Sequence, residues 1–358
     1  MTQEQIYHNI AQRTGGDIYL GVVGPVRSGK STFIKRFAEL MLLPRIKNEA
    51  RRARAHDELP QSAAGRTIMT TEPKFIPEKA VKIDLSGGGS FKARLIDCVG
   101  YMVDGALGHE ENEAPRLVKS PWFDHEVPFD LAAETGTRCV IREHATIGLV
   151  VTTDGSVADL PREAYLDAER RIIAELNDSG KPYVILLNCA EPDSDDARRL
   201  ATELAERYAH AVVPLNCTTM TVETLDSLLQ TLLYEFPIRE IAVRMPGWVT
   251  MLESGHWLQS AIYTAMLEFA ASVHKMADLA GRRPQLGCEY ITSASLTGMD
   301  LASGSVGINA VVAPDIFYKI LGEQTGLDIV DEASLLPCVV SLARAKRAYD
   351  KIKSALDQ

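Results

Sequence analysis

Gly24-Pro25-Val26-Arg27-Ser28-Gly29-Lys30-Ser31, with Thr32 next, is the stretch of sequence that decides the fold. It matches the pattern GxxxxGK[ST], follows the apolar run at 18–23 and opens a helix-period segment at 31–43. The glycines let backbone amides wrap a phosphate, and the start of a helix adds partial positive charge. The pattern therefore predicts a phosphate-binding loop, with Lys30 on the β and γ phosphates and the Ser31 hydroxyl on Mg²⁺. A chance match on a glycine turn is the alternative.

A second motif, about 70 residues further on, is typical of a strand whose last residue helps to hold Mg²⁺. Asp97 ends the strand-like run 94–97, and Gly100 follows three residues later. An acid at this place can hold Mg²⁺ through water, and the glycine amide can contact a γ-phosphate. Asp97 and Gly100 are therefore predicted site residues, although a surface Asp that caps a turn would give the same letters.

Three threonines lie between the two motifs: Thr67, Thr70 and Thr71. A threonine in this interval is what a switch-type NTPase uses to contact both Mg²⁺ and the γ-phosphate. Thr70 and Thr71 are the better candidates, with Thr70 also a predicted metal ligand. The alternative is a polar strand edge without a catalytic role.

The recognition elements of a guanine site are incomplete. Such a site needs Asn-Lys-x-Asp after its fifth strand, and this chain has Asn188-Cys189-Ala190-Glu191. Asn188 remains a predicted nucleotide-binding residue, and ATP becomes the expected nucleotide. Tyr101 stands where many GTPases carry a Gln that orients water, which predicts hydrolysis that is slow or that depends on a group brought from elsewhere. A GTP-dependent switch that uses Glu191, or a scaffold that binds nucleotide without turnover, stays open.

Composition narrows the class of protein. The 358 residues are 46% hydrophobic and 24% charged, with a net charge of −10, which disfavours a general nucleic-acid binder. No apolar run approaches the ~20 residues of a membrane span, and the N-terminus lacks the pattern of a signal peptide. The six scattered cysteines predict buried thiols in a reducing cytosol. The basic stretch at 45–54 is read as a solvated helix face, with an arginine finger for a neighbouring subunit as the alternative.

Alternation of strands and helices predicts the architecture. Strand-like runs at 146–153, 183–188 and 211–215 alternate with helices at 161–179, 194–209 and 221–235. This pattern predicts a doubly wound, mostly parallel α/β sheet of the P-loop NTPase, GTPase-like kind over residues 1–238. The regular alternation of strands and helices then ends, and residues 239–358 are predicted to form a smaller α+β domain. That domain is expected to contain a long apolar helix near 256–280, short strands near 287–293 and 304–313, and a terminal helix of Ala, Arg and Lys. The segment 101–130 is predicted to be a loop or an insertion.

Four segments together resemble one family. They are the run GPVRSGKSTFIKRF at 24–37, TIMTTEPKFIP at 67–77, LIDCVGYMVDGA at 95–106 and IREIAVRMPGWV at 238–249. This combination resembles the stage IV sporulation protein A family, the spore-coat morphogenetic ATPases of endospore-forming bacteria, which are related to translation-factor-class GTPases. The resemblance covers the whole chain, and it implies a C-terminal domain beyond the residues present here.

The resemblance also implies a function. Members hydrolyse ATP with Mg²⁺, and hydrolysis drives a conformational change and self-assembly into static filaments at the forespore surface in the cytoplasm. These filaments form the base layer of the coat, and a small amphipathic peptide holds them to the membrane, so coat proteins and that peptide are the implied partners. Residues 24–31 match the family's phosphate loop, Asp97 its second motif, and Thr70 and Thr71 its sensor threonines.

Overall fold

The computed structural model describes residues 1–60, 73–84, 90–103, 105, 110–111 and 114–356. The chain divides into two compact units. Unit one contains Met1–Arg239 and two short later segments, Lys275–Ala280 and Asp300–Gly304. Unit two contains Glu240–His274, Gly281–Met299 and Ser305–Gln358. The two units therefore interleave along the sequence.

The described helices and strands are numbered in chain order. The helices are α1 Gln3–Thr14, α2 Lys30–Phe37, α3 Glu49–Asp57, α4 Phe129–Cys139, α5 Leu166–Ser179, α6 Asp195–Tyr208, α7 Val222–Glu235, α8 Gly247–Thr250, α9 Trp257–Ser272, α10 Met276–Leu279, α11 Pro314–Thr325 and α12 Glu332–Leu356. The strands are β1 Asp17–Val23, β2 Lys74–Asp84, β3 Ser90–Asp97, β4 Glu110–Glu111, β5 Ala114–Pro115, β6 Leu117–Val118, β7 Val127–Pro128, β8 Ile147–Thr153, β9 Tyr183–Asn188, β10 Val212–Leu215, β11 Glu240–Arg244, β12 Ile291–Asp300 and β13 Ser305–Val312.

A six-stranded sheet lies at the centre of unit one, in the order β10-β9-β8-β1-β3-β2. The first five strands of this order run parallel, and β2 pairs antiparallel with β3 at the edge. Every residue of β8 and β9 is buried, as expected for parallel strands covered on both faces. The mixed α/β class and the mostly parallel sheet predicted from the sequence are confirmed.

The carboxyl ends of the parallel strands meet at one edge of the sheet, since these strands share one direction. Val23, Asp97, Thr153 and Asn188 end β1, β3, β8 and β9. Ligand sites of open α/β sheets form at this edge. We call it the carboxyl edge, and the opposite side the amino edge.

Unit two has a three-stranded sheet in the order β11-β13-β12, with β11 parallel to β13. Its core gathers apolar side chains from α8, α9, β13 and α11, namely Val249, Leu258, Ile262, Val312, Ile316 and Ile320. The predicted long helix near 256–280 is wrong. Helix α9 ends at Ser272, because Val273 is extended (φ −117°, ψ 125°), and the short α10 that follows belongs to unit one.

Helix α4 was not predicted, and helix α3 was predicted only as a solvated helix face at 45–54. Helix α4 begins at Phe129, inside the segment 101–130 that was predicted to be a loop or an insertion. Helix α3 is polar nearly all round, with Ala55 as its one buried residue, so it gives no apolar period. It begins instead on a cap, because the Asn48 side chain accepts from the Arg51 amide. Its arginines are exposed, as a solvated face predicts.

None of the helices in the described part of the chain is long and apolar enough to cross a membrane.

Candidate functional site

The glycine loop, residues 24–29 between β1 and α2, is pressed against the carboxyl edge of the sheet. Gly24 and Gly29 have positive φ angles of 151° and 101°. A Cβ at Gly24 would lie 2.2 Å from the Val151 carbonyl oxygen, and one at Gly29 would lie 2.2 Å from Asn188 Nδ2. Glycine is therefore required at both positions by space as well as by backbone conformation. Arg27, at φ 62°, is the loop's non-glycine residue with positive φ.

Lys30 begins α2 and folds back over the loop. Its side chain is buried, and Nζ donates to the Pro25 carbonyl oxygen at 2.6 Å. Burial lowers the pKa of Lys30, while the nearby Cys98 and Asp97 act in the opposite direction. An ammonium that has lost most of its water gains more than an exposed one from an incoming anion. Its placement fits a phosphate ligand.

Asp97 ends β3 beside β1, where it pairs in register with Val22. Burial raises the pKa of Asp97 to about 6, against the opposing charges of Lys30 and Lys74. A carboxyl in this setting gains from a cation placed next to it, as an oxygen ligand of Mg²⁺ would. The structure therefore brings Lys30 and Asp97 together, as the two sequence motifs predict.

The segment after Asp97 is tied to the glycine loop through its backbone. Gly100 has φ 93°, and a Cβ there would lie 2.1 Å from the Gly24 oxygen and 2.7 Å from Lys30 Nζ. The Val26 amide donates to the Tyr101 carbonyl oxygen at 2.9 Å. The Tyr101 side chain turns into the core, where its hydroxyl donates to Glu175 at 2.8 Å. Tyr101 therefore does not present a polar group to the site.

Asn188 joins the glycine loop to a second loop at the carboxyl edge. It is buried, its Nδ2 donates to the Ser28 carbonyl oxygen at 3.0 Å, and its Oδ1 accepts from the Cys217 amide at 3.1 Å. Both ends of the amide are thus occupied by backbone. The structure gives Asn188 a bracing position, and a direct contact with nucleotide stays a prediction.

The hydroxyl groups of the loop differ in their surroundings. Ser28 is fully buried, and its Oγ has no hydrogen-bond partner among the described residues. Such a group is costly to bury unless a ligand completes it. Ser31 and Thr32, in the first turn of α2, are half-buried. Together with the glycine cradle, this donor set fits a phosphate group. Thr67, Thr70 and Thr71 lie outside the described residues, so their roles stay predictions.

Three thiols surround this site. Cys98 follows Asp97 and donates to the Val22 carbonyl oxygen at 3.2 Å, Cys189 follows Asn188, and Cys217 bonds Asn188 through its amide. All three are free and buried, as predicted, whereas Cys139, Cys288 and Cys338 are only partly buried. No set of three or more His, Cys, Asp or Glu side chains within the described ranges gathers to hold a metal ion.

One buried network at this edge was not predicted from the sequence. Glu169 of α5 is fully buried and pairs with Arg162 at 2.6 Å. It also accepts from Thr152 of β8 and from Tyr208 of α6. The signal was present, since the polar pair Thr152-Thr153 ends an otherwise apolar strand. The network fixes the chain leaving β8 beside the glycine loop.

These features define a mixed α/β protein that carries a glycine-rich anion cradle, a buried lysine and a carboxylate at the carboxyl edge of its sheet. Comparison with known families matches residues 1–237 to the model described as stage IV sporulation protein A, ATPase domain. Residues 238–358 match the middle domain of the same protein. The chain belongs to the stage IV sporulation protein A family.

Individual relatives agree. The stage IV sporulation protein A of Bacillus subtilis (strain 168) is 45% identical over 358 residues, 99% of this chain and 73% of that protein. The protein of the same name from Bacillus anthracis is 43% identical, with coverages of 99% and 73%. That from Clostridioides difficile (strain 630) is 43% identical, with coverages of 98% and 72%.

Proposed function

We propose that this chain is a Mg²⁺-dependent ATPase with a P-loop fold of the GTPase-like kind. The observation that carries the proposal is the position of Lys30, buried over a glycine cradle with Asp97 beside it. Membership of a family whose first domain is described as an ATPase domain supports it independently.

The roles of the residues follow from their positions. The amides of residues 24–31 and the Ser28 hydroxyl would hold phosphate oxygens, with Lys30 neutralising their charge. Ser31 and Asp97 would hold Mg²⁺, directly or through water, and the amide of Gly100 would contact the γ-phosphate. Bound Mg-ATP supplies the phosphoanhydride bond and the metal charge that stabilises the transition state. The chain's own contribution is to orient the phosphates and to exclude water from Lys30.

The base-side residues favour ATP over GTP. Cys189 is fully buried where a guanine-reading site has a lysine, and Glu191 lies in an exposed loop. A site without guanine's hydrogen-bond partners does not reject adenine. Slow turnover is supported by Tyr101, whose hydroxyl is engaged by Glu175 inside the core.

We extend the proposal to assembly on the strength of the family. Hydrolysis would drive a conformational change and self-assembly into static filaments, the base layer of the spore coat at the cytoplasmic surface of the forespore. Coat proteins and a small amphipathic membrane peptide are the proposed partners, with the membrane contacted only indirectly.

The test is a side-by-side assay of ATP and GTP hydrolysis, with sedimentation before and after turnover. We expect ATP to be hydrolysed at least as fast as GTP and the pelleted fraction to rise only after ATP turnover. A strong preference for GTP that is lost in Glu191→Ala would contradict the ATPase and favour a GTP-dependent switch. Binding of ATP without turnover would favour the scaffold.

A further inference from the structure

A cavity of about 590 Å³ opens at the amino edge of the sheet, away from the glycine loop. Its described lining comes from the end of α1, from β1, β2 and β3, from the turn before β8, from the two residues before β9 and from the chain after α7. Every one of these residues belongs to unit one. The volume lies in the range of ligand-binding sites.

The lining of this cavity is strongly cationic, and we call it the basic cleft. Its basic side chains are Arg13, Arg94, His144, Lys181 and Arg239. Glu143 is the one carboxylate among the described residues that line it. Like charges held this close destabilise one another unless an anion is bound among them.

Two of the arginines are held in place by packing. Arg94 lies 4.5 Å from the ring centre of Tyr19 and 4.0 Å from that of Phe75. Arg13 is buried 5.0 Å from the ring centre of Phe236, and its Nη2 donates to the Pro237 carbonyl oxygen. Burial and the nearby Arg239 lower the pKa of Arg13 to about 10, against the attraction of Asp300. The guanidinium groups are therefore preorganised, which reduces the entropy lost on binding.

An acidic segment follows the carboxyl end of β9, the strand whose amino end lies at the basic cleft. Lys181 and Pro182 of the basic cleft immediately precede β9, and residues 191–196, Glu-Pro-Asp-Ser-Asp-Asp, follow its carboxyl end. We call residues 191–196 the acidic loop. Its four carboxylates are exposed, with side-chain exposures of 95% at Asp193 and 85% at Asp196. Their ion pairs with Arg198 and Arg199 are at the surface and are worth little.

Opposite placement prevents the two patches of one chain from meeting. Strand β9 has six residues and is about 20 Å long, and the patches lie beyond its two ends. A contact between them must join two copies, and it uses different surfaces on each. Such a heterologous contact leaves a free cleft and a free loop at the ends, and it extends into an open polymer wherever the rotation between copies does not close a ring.

We propose that the basic cleft binds the acidic loop of a second copy of this chain. The cations come from separate elements around the cleft, an arrangement that suits several carboxylates spaced along a peptide better than one compact phosphate. Guanidinium groups also pair with carboxylates in a two-pronged geometry. The contact rests on the self-assembly proposed above, and it names the two surfaces that this assembly would join.

The experiment exchanges charges between the two surfaces in the full chain. The cleft variant is His144→Glu with Arg239→Glu, since both side chains are exposed. The loop variant is Asp193→Lys with Asp195→Lys. The control is Lys92→Glu with Arg170→Glu, two exposed cations outside the cleft. Pelleting after ATP addition is measured for each variant, for a mixture of the cleft and loop variants, and for the chain with all four changes.

Either variant alone should lose about ten-fold in pelleted protein, because like charges then face each other. In the mixture and in the quadruple variant, the pelleted protein should recover to within about two-fold of wild type, since opposite charges meet again. The control should assemble normally. Normal assembly of the loop variant would overturn the proposal. Failure of the quadruple variant to assemble would also overturn it.

Two further measurements separate this contact from the proposed function. Turnover of ATP is measured on each variant at concentrations below assembly, and it should equal that of wild type. Pairwise association of the cleft and loop variants, which is too weak to pellet and needs no turnover, is followed by sedimentation equilibrium in a nucleotide-free mixture. It should weaken as salt rises from about 50 to about 200 mM, because the contact is electrostatic. Absence of ATP turnover in the wild type would refute the proposed ATPase activity alone. Absence of salt-sensitive association would refute the proposed contact alone.

Discussion

Lys30 carries a charge in a place that burial makes unfavourable. Its ammonium group is satisfied by the Pro25 carbonyl oxygen at 2.6 Å and by the field of Asp97. A buried cation with so few partners has much to gain from phosphate oxygens. Asp97 has the complementary position, since it is half-buried near that cation and could support a metal ion. We therefore expect the two residues to have separable roles.

We predict that Lys30→Ala weakens ATP binding ten-fold or more, because a charged hydrogen bond is worth about 1.5–3 kcal/mol. Asp97→Ala should mainly abolish turnover, since its contact with the nucleotide runs through Mg²⁺. Calorimetric titration and single-turnover assays measure the two effects. Lys35→Ala, five residues further along the same segment, is the control. Wild-type ATP affinity in Lys30→Ala would contradict the phosphate-loop assignment.

How far the sequence predicts the site depends on the kind of residue. Gly24, Gly29 and Lys30 are predicted by a local pattern, because the conformation that they need is local. The bracing role of Asn188 and the inward turn of Tyr101 could not be predicted. Both depend on partners far along the chain, Cys217 and Glu175, which only the folded sheet brings near. Spacing in the sequence does not encode such contacts.

At the scale of the elements, periodicity predicted those with an apolar face. Strands β8 and β9 are apolar runs that end in polar residues, and α5 and α7 repeat their leucines and isoleucines at helical spacing. Helix α3 has no such face and depends on the Asn48 cap. The break after α9 was also missed, because tertiary contacts set it. The amide of Met276 donates to the Phe236 carbonyl oxygen, and Lys275 pairs with Glu235.

We propose that the segment between the two motifs links the chemistry to assembly. Thr70 and Thr71 precede β2, which pairs with the strand that ends in Asp97. A contact with Mg²⁺ and the γ-phosphate would make the position of that segment depend on the state of the nucleotide. The glycine loop would still hold the other phosphates without it.

We predict that Thr70→Ala with Thr71→Ala leaves ATP affinity within a few-fold of wild type and slows hydrolysis roughly ten-fold or more. Filament formation should then fail even with ATP bound. Equilibrium binding, phosphate release and pelleting of the full-length protein measure the three properties, with Thr202→Ala on α6 as the control. Pelleting of the double variant at wild-type levels would refute the coupling and leave the ATPase intact.

At the scale of the whole molecule, a buried carboxylate ties distant parts of unit one together. Glu235, at the end of α7, contacts His210 at 2.7 Å and Lys275 at 2.6 Å and accepts from the Ala211 amide at 3.0 Å. Burial alone would raise the pKa of Glu235. The hydrogen bonds from His210 and Lys275 outweigh burial, and the net effect lowers it.

This arrangement makes stability depend on pH. Because the folded pKa of Glu235 lies below the unfolded value of about 4.3, its contribution is present above that pH. It is lost as pH falls through the folded value. We predict that Glu235→Gln lowers the free energy of unfolding by about 3 kcal/mol at pH 7, as for other broken buried pairs. The difference from wild type should shrink under acid conditions.

Urea unfolding at a series of pH values measures this dependence. Glu206→Gln, at an exposed position on α6, should unfold like the wild type at every pH. A constant deficit for Glu235→Gln from pH 7 down to pH 3 would show that shape, and not charge, explains the loss.

The three buried thiols around the site allow the opening of the site to be measured. Burial raises the pKa of Cys98 to about 11, with Lys30 opposing, and burial likewise raises the pKa of Cys217 to about 12. At neutral pH these groups are protonated and shielded, so an alkylating reagent cannot attack them in the closed site. Each alkylation event therefore requires a transient opening of the surrounding chain. The labelling rates of Cys98, Cys189 and Cys217, measured thiol by thiol in the natural protein, report how often the site opens, without any introduced probe.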